Sequence, residues 1–327
     1  MKALVTGGTG FVGSHVVETL ISHGCEVVCP VRDTDRLRNL EGMPVRVIPW
    51  KDLDREIHSE PAFDYVIHVA GATRAMSYAE YYEANVGETR RMLELFASLP
   101  NKSALKRFVF VGSQAAAGPC PDPETCVLES HEPQPVSLYG RSKLEAERVA
   151  LSFAEVLPVT VVRPSTVFGP RDQDVLGVFK CARYRFSPYL AGPDRMFSVI
   201  YVEDLAAGIL AAALANVPSG QVYFLANDTP VSWREFTLEV ARLTGRGAIE
   251  IPIPMSIMRL AALTGEIVGK LTKKTQLLRS EKFEEMKQVG WVCSTEKAKR
   301  ELGWQPKISL REAILKTAHW YKEHGWI

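Results

Sequence analysis

The sequence predicts an α/β protein built on a doubly wound parallel sheet, with a smaller and mostly C-terminal second part. Three observations carry that prediction. Up to about Val167, short apolar runs alternate with amphipathic stretches of helical length, which is the rhythm of βαβ units. The first run leads straight into a glycine-spaced turn, Gly7-Gly8-Thr9-Gly10-Phe11-Val12-Gly13. From Arg171 onward the rhythm breaks into polar loops and separate helices.

The strand-like runs cover residues 3–5, 26–31, 45–48, 65–69, 107–111 and 159–162. Ala3, Leu4 and Val5 are too few for an amphipathic strand and suit a buried parallel one. The glycines that follow force a tight turn into a helix. Such a turn lets a pyrophosphate approach backbone N–H groups at a helix N-terminus, where a Cβ would obstruct it and the dipole favours negative charge. Gly7, Gly10, Phe11, Val12 and Gly13 are therefore candidate phosphate-binding residues, and a glycine-rich turn with no ligand is the plainer reading.

In a doubly wound sheet, ligands lie outside the carboxyl ends of the strands, so the residues after each run matter most. The second run ends Val31-Arg32-Asp33, where an adenine ribose is expected. Arg32 suits a 2′-phosphate, with Arg36 close behind, and favours NADP; Asp33 keeps NAD possible, and an ordinary solvated strand end is the bland alternative. After the third run, Trp50-Lys51-Asp52-Leu53 forms a polar turn in which Asp52 could meet the adenine amine or equally cap the next helix. The fourth run delivers His68-Val69-Ala70-Gly71-Ala72, and Ala70 and Gly71 again permit close backbone approach to a cofactor. His68 is expected to be a structural hydrogen-bonder rather than an acid or base. Asn85, an indifferent helix former, stands inside a helical stretch and asks for a reason.

The fifth run ends Gly112-Ser113-Gln114-Ala115, so Ser113 projects toward the expected nicotinamide position. Beyond a loop rich in Pro and Cys, Tyr139-Gly140-Arg141-Ser142-Lys143 opens a helix, with Tyr139 and Lys143 on one face. A lysine ammonium beside a phenol favours the phenolate and should lower the Tyr139 pKa from its ordinary value. Tyr139 is then a usable general acid or base, provided Ser113 hydrogen-bonds the same substrate oxygen.

Composition bounds the partners. Lys and Arg total 39 against 38 acidic residues, a formal charge of +1, so no field argues for nucleic acid or an anionic membrane, and small molecules are the expected partners. The six cysteines contain no Cys-x-x-Cys pair and read as reduced thiols in a cytoplasmic protein. A core strand so near residue 1 leaves no room for a signal peptide, and no uncharged apolar run reaches the ~20 residues that span a bilayer. No metal site is expected.

Taken together, Gly7-x-x-Gly10-x-x-Gly13, Ser113, Tyr139-x-x-x-Lys143, the Asn-Val-Gly-Glu-Thr segment at Asn85, Arg163-Pro164-Ser165-Thr166-Val167-Phe168-Gly169-Pro170, Val202-Glu203-Asp204-Leu205-Ala206 and the C-terminal Ala298-Lys299-Arg300-Glu301-Leu302-Gly303-Trp304-Gln305-Pro306 resemble the extended short-chain dehydrogenase/reductase family, in its epimerase/dehydratase branch. The resemblance runs nearly the whole chain and implies a Rossmann domain with NADP, or NAD, as cofactor. It implies that Tyr139 exchanges the substrate proton, that Lys143 holds the nicotinamide ribose and lowers the phenol pKa, and that Ser113 positions the reacting oxygen. Pro164 and Ser165 would line the nicotinamide, and Asn85 would support the cofactor or a proton path. Departures narrow the field. Gln114 and Ala115 replace the Asp-Glu pair of dehydratases, and Phe197 stands where nucleotide-sugar epimerases carry an arginine, with Arg195 nearby. The residues 196–200 read instead as an apolar wall; the Val31-Arg32-Asp33 end of the second run resembles dihydroflavonol reductase-like members, and the apolar later half is similar to 3β-hydroxysteroid dehydrogenase-like members.

The second half adds a returning strand at 222–225, a Ser232/Glu235 capping box, an unusually apolar helix within 251–271 and a final amphipathic helix from Leu310 to about Lys322. The interleaved Arg and aromatic residues of 179–186 could grip phosphate or form a solvated helix face. The apolar helix could pack in the core, cover an oily substrate, meet a partner or lie on a membrane surface. The expected division is a dinucleotide-binding domain over 1–170, rejoined by 199–228 and part of the C-terminal helix, and a substrate-binding domain over 171–198 and 229–309. The expected activity is NADP(H)-dependent interconversion of a carbonyl and an alcohol on a fairly apolar small molecule. An NAD-dependent nucleotide-sugar epimerase and a catalytically silent dinucleotide-binding sensor are the alternatives, and a homodimer is implied by resemblance alone.

Overall fold

The computed structural model describes residues 1–59, 62–122, 124–244, 247–272 and 279–327. Seven strands form one sheet: β1 (Lys2–Thr6), β2 (Glu26–Val31), β3 (Val45–Pro49), β4 (Tyr65–His68), β5 (Arg107–Val111), β6 (Val159–Pro164) and β7 (Gln221–Leu225). Their order is β7-β6-β5-β4-β1-β2-β3, and every neighbouring pair is parallel. The six apolar runs of the first half are thus strands, and the returning run supplies the seventh. The chain winds outward in both directions from β1, so the β1/β4 boundary is the switch point where an open α/β sheet leaves a crevice.

Alternation along the strands feeds two cores. Ala3, Val5, Val27, Cys29 and Ile67 face one side, packed by Val16, Val17 and Leu20 of the Phe11–Ser22 helix and by Leu205, Ile209 and Ala213 of the Val202–Leu214 helix. Leu4, Val28, Val66 and Phe108 face the other, against Met92, Leu93 and Phe96 of the Glu88–Ser98 helix and Ala146 and Ala150 of the Leu138–Ser152 helix. Strands buried on both faces explain why the sequence shows continuous apolar runs rather than polar alternation.

A third cluster builds the remaining body around Phe168, Phe179, Phe197, Tyr201 and Phe236. The final helix, Leu310–Glu323, contributes Ala313, Ile314, Ala318 and Tyr321 to this cluster. From the C-terminal region, Ala298, Leu302 and Trp304 pack on the sheet's core. Trp304 Nε1 donates to the Asp204 carbonyl at 3.2 Å. The Ser232 capping box is present, with both reciprocal bonds made to Glu235. All six cysteines are free thiols, and no described helix is long and apolar enough to cross a membrane.

Candidate active site

The glycine turn closes on itself. Gly10 N–H donates to Gly7 O at 2.9 Å, and Gly10 caps the Phe11–Ser22 helix. Gly7 has φ +71°, and a Cβ there would lie 2.8 Å from Ala70 N; one on Gly13 would lie 2.1 Å from Gly7 O. No side chain fits between this turn and the chain leaving β4. The N–H groups of Phe11, Val12 and Gly13 sit in the first helical turn, where they lack intrahelical acceptors and can serve an anion.

At the end of β2, Arg32 is exposed and makes no ion pair among the described residues, while Asp33 is held by Arg36 Nε at 3.0 Å. Asp52 ends a short 3₁₀ turn and pairs with Arg55 at 3.2 Å; Leu53, next to it, is buried in the sheet core and opens the Leu53–Ser59 helix.

His68 ends β4 fully buried between two hydroxyls, with Nδ1 2.8 Å from Thr6 Oγ1 and Nε2 3.0 Å from Thr89 Oγ1. Burial, assisted by the charge of Lys143, drives its pKa down to about 3. It is a neutral structural group. The Thr6 hydroxyl also accepts from Ala70 N–H at 3.2 Å, aligning the loop beside the glycine turn. Asn85 now has its reason. It lies in a π-helical turn, Tyr82–Gly87, and is buried; its Oδ1 accepts from Ala72 N–H at 2.7 Å, and its Nδ2 donates to Ala72 O at 3.1 Å and Ser142 Oγ at 2.8 Å. One side chain thereby fixes the loop after β4 to the helix of Tyr139. A Cβ on Gly71 would lie 2.7 Å from Asn85 Oδ1 and 3.7 Å from Lys143 Nζ, so glycine is required where these elements meet.

Ser113 caps the short Gln114–Ala117 helix, its hydroxyl accepting from Ala115 N–H at 3.1 Å. Ser137 caps the Leu138–Ser152 helix through Gly140 N–H at 3.0 Å. Lys143 is buried one turn beyond Tyr139; its Nζ donates to Val111 O at 2.8 Å and stands 4.7 Å over the Phe110 ring. Burial lowers its pKa to about 8, opposed by Glu147. Glu147 in turn makes a fully buried bidentate pair with Arg163, at 2.9 and 2.6 Å.

The expected lowering of the Tyr139 pKa is overturned for the chain by itself. Burial pushes the phenol up to about 12, against the opposing influence of the Ser113 hydroxyl, and Glu285, Tyr81 and Asp174 add to the rise. The physical reason is desolvation, together with a lysine ammonium directed onto a carbonyl oxygen. The protonated phenol is therefore the resting form at neutral pH.

Pro164 ends β6, and Ser165 N–H donates to Leu225 O at 3.1 Å. Ser165 Oγ and the neighbouring strand-end Gln114 Nε2 are buried with no hydrogen-bond partner. Unsatisfied polar atoms at the strand ends suit a polar ring, and the glycine cradle suits a pyrophosphate, so the residues fit a nicotinamide dinucleotide. The apolar wall turns out to be core: Phe197 packs on Trp233 and Phe236 at centroid distances of 5.7 and 6.2 Å, while Arg195 bonds the Pro193 carbonyl at 3.2 Å. Sequence reading missed Tyr81, Arg279, Glu281 and Glu285, which gather around Tyr139. No motif marks them, because their nearness depends on tertiary packing across long separations, 142 residues between Tyr139 and Glu281. Among the described residues, no group of three or more His, Cys, Asp or Glu could hold a metal ion.

A seven-stranded parallel sheet flanked by helices, with a glycine turn at its switch point, defines a Rossmann-type α/β protein. Residues 3–226 match the NAD dependent epimerase/dehydratase family, and the chain belongs to it, as an NAD(P)-dependent oxidoreductase of the extended short-chain type. It is 26% identical to a putative dihydroflavonol 4-reductase of Synechocystis sp., covering 99% of this chain and 95% of that one. It is also 26% identical to a farnesyl-dihydroquinoline-oxide ketoreductase of Stigmatella aurantiaca, covering 96% and 95%. The crystal structure of the UDP-glucose 4-epimerase of Thermotoga maritima with UDP-glucose superposes with a TM-score of 0.76 at 22% identity, over 99% of each chain.

Proposed function

We propose that this protein is an NADP(H)-dependent reductase or dehydrogenase that interconverts a carbonyl and an alcohol on a fairly apolar small molecule. The observation that carries the reading is that Tyr139 and Lys143 stand one turn apart on the Leu138–Ser152 helix, with Lys143 Nζ held 2.8 Å from the Val111 carbonyl at the end of β5, beside Gly71 and just ahead of Ser113. The names of the two reductase relatives support a carbonyl substrate. Phe197, buried among aromatic rings, speaks against a diphosphate grip at that position and so against the epimerase.

The nicotinamide, when bound, supplies or accepts the hydride. Gly7 to Gly13 and Ala70 would hold the pyrophosphate, Arg32 the 2′-phosphate, Asp52 and Leu53 the adenine side, and Asn85, Lys143, Pro164 and Ser165 the nicotinamide side. Residues 171–198 and 229–309 would supply most of the substrate side. In reduction, the hydroxyls of Ser113 and Tyr139 both donate toward the substrate oxygen, and Tyr139 delivers its proton as negative charge develops there. A phenol protonated at neutral pH suits that direction. In alcohol oxidation Tyr139 must first be deprotonated, which the Lys143 ammonium assists. Lys143 holds its proton below about pH 8.

The test is NADPH and NADH consumption across a panel of ketones, with two variants. Tyr139→Phe should lower kcat by ~100-fold or more, and a loss under about threefold would overturn the acid–base role. Arg32→Ala should weaken NADPH about tenfold or more while sparing NADH, since one charge-assisted phosphate contact is removed. Equal loss for both cofactors would overturn the NADP assignment. Firmly retained NAD after dialysis, with no ketone turnover, would favour the epimerase.

A further inference from the structure

The segment Ser280–Met286 lies against the start of the catalytic helix. Glu281 Oε1 accepts from the backbone N–H of Tyr139 at 2.7 Å. That N–H is in the first turn of the Leu138–Ser152 helix, where no intrahelical acceptor exists, and Ser137 Oγ is already engaged by Gly140 N–H. A carboxylate there makes a short charge-assisted bond and sits at the positive end of the helix dipole. The other carboxylate oxygen, Oε2, accepts from Arg279 Nη2 at 3.2 Å, and Arg279 also donates to Tyr81 Oη at 3.2 Å and to the Ala75 carbonyl. The Tyr81 ring stands 6.1 Å from that of Tyr139. Behind them, Ser280 Oγ donates to Glu266 Oε2 at 2.5 Å, tying the segment to the Met255–Thr272 helix.

We propose that Glu281, braced by Arg279, is a positioning residue for Tyr139, locking the catalytic helix start to the loop after β4 from the substrate side. The Arg279–Glu281 pair is only 15% exposed at each side chain, so its geometry is held by packing rather than being a solvated surface contact. It joins three segments beyond the strand ends, on top of the tie made by Asn85: the loop carrying Ala75, the helical turn of Tyr81 and the helix of Tyr139. Misplacing a general acid by a fraction of an ångström costs turnover, while cofactor binding at the glycine turn is untouched.

The turnover arm rests on the proposed carbonyl/alcohol activity; an exchange arm does not. Glu281→Ala should lower kcat about tenfold or more with KM for NADPH within about twofold, and Glu281→Gln, which keeps an acceptor, should stay within about threefold of wild type. A Glu281→Ala kcat within about twofold of wild type, or a Gln variant no better than Ala, overturns the proposal. Independently of any substrate, hydrogen exchange of the peptide containing Tyr139 should be about tenfold faster in Glu281→Ala and near wild type in Glu281→Gln. Unchanged exchange in Glu281→Ala likewise overturns it. If wild type reduces no ketone in the panel, the functional reading fails, and the exchange arm still decides the role of Glu281.

Discussion

His68 shows how a chemically versatile side chain is spent on architecture. Its two nitrogens are both occupied by hydroxyls, and burial holds the imidazole neutral down to about pH 3. An unfolded histidine takes up its proton near pH 6.5, so between those values the unfolded chain binds one proton more than the folded chain. The contribution of neutral His68 is therefore complete above about pH 6.5 and is lost as pH falls toward 3. Urea unfolding followed from pH 7 to pH 4 should show stability dropping with acid, and His68→Gln should make that slope shallower by about 1.4 kcal/mol per pH unit, the equivalent of one proton. An unaltered slope would show that His68 titrates normally in the folded chain. Tyr139 illustrates the limit of residue-level reasoning. Four-residue spacing correctly brings tyrosine and lysine onto one helical face, but where the ammonium points depends on the Val111 carbonyl, contributed from β5.

At the scale of the element, glycines in the two halves of the chain do different things. Gly13 has no room for a Cβ because Gly7 O lies 2.1 Å from where it would stand, and backbone cannot swing aside as a flexible side chain can. Gly13→Ala should cost about 2 kcal/mol or more and weaken dinucleotide binding about tenfold or more, measured by urea unfolding and by calorimetric titration with NADPH. Gly177, exposed in the Leu176–Arg183 helix, has nothing within 4 Å of its would-be Cβ. Gly177→Ala should stabilise the chain by about 0.5 kcal/mol without changing cofactor affinity. The Met255–Thr272 helix presents Ile257, Leu260, Leu263, Ile267, Val268 and Leu271 to solvent, so its apolar composition is not the signature of a core helix. The π-turn at Asn85 is the opposite case: a poor helix former is retained because its amide makes three bonds that no better helix former could supply.

Across the whole molecule, Asp204 connects regions a hundred residues apart. Its carboxylate accepts from Lys307 N–H and Ile308 N–H, both at 3.0 Å, while its own carbonyl receives Trp304 Nε1. It belongs to a segment that resembles a family motif, yet what it does here is fasten the chain after Trp304 to the Val202–Leu214 helix. Asp204→Ala would leave two backbone donors without acceptors and should cost about 3 kcal/mol, read by urea unfolding. Asp204→Asn, which retains one acceptor oxygen, should lose less.

The sequence alone determined the parallel sheet, because strands buried on both faces must be continuously apolar. It also marked the glycine turn, because a close backbone approach excludes side chains whatever surrounds it. Ser113, Tyr139 and Lys143 were legible for a similar reason: their positions follow from a strand end and from helical periodicity, both local. Only the tertiary structure decided that the final helix joins the third cluster, that residues 196–200 are core rather than pocket wall, and that Arg279 and Glu281 reach Tyr139. It alone also turned the phenol pKa upward, since desolvation is set by everything packed around a group and not by its neighbours in the chain.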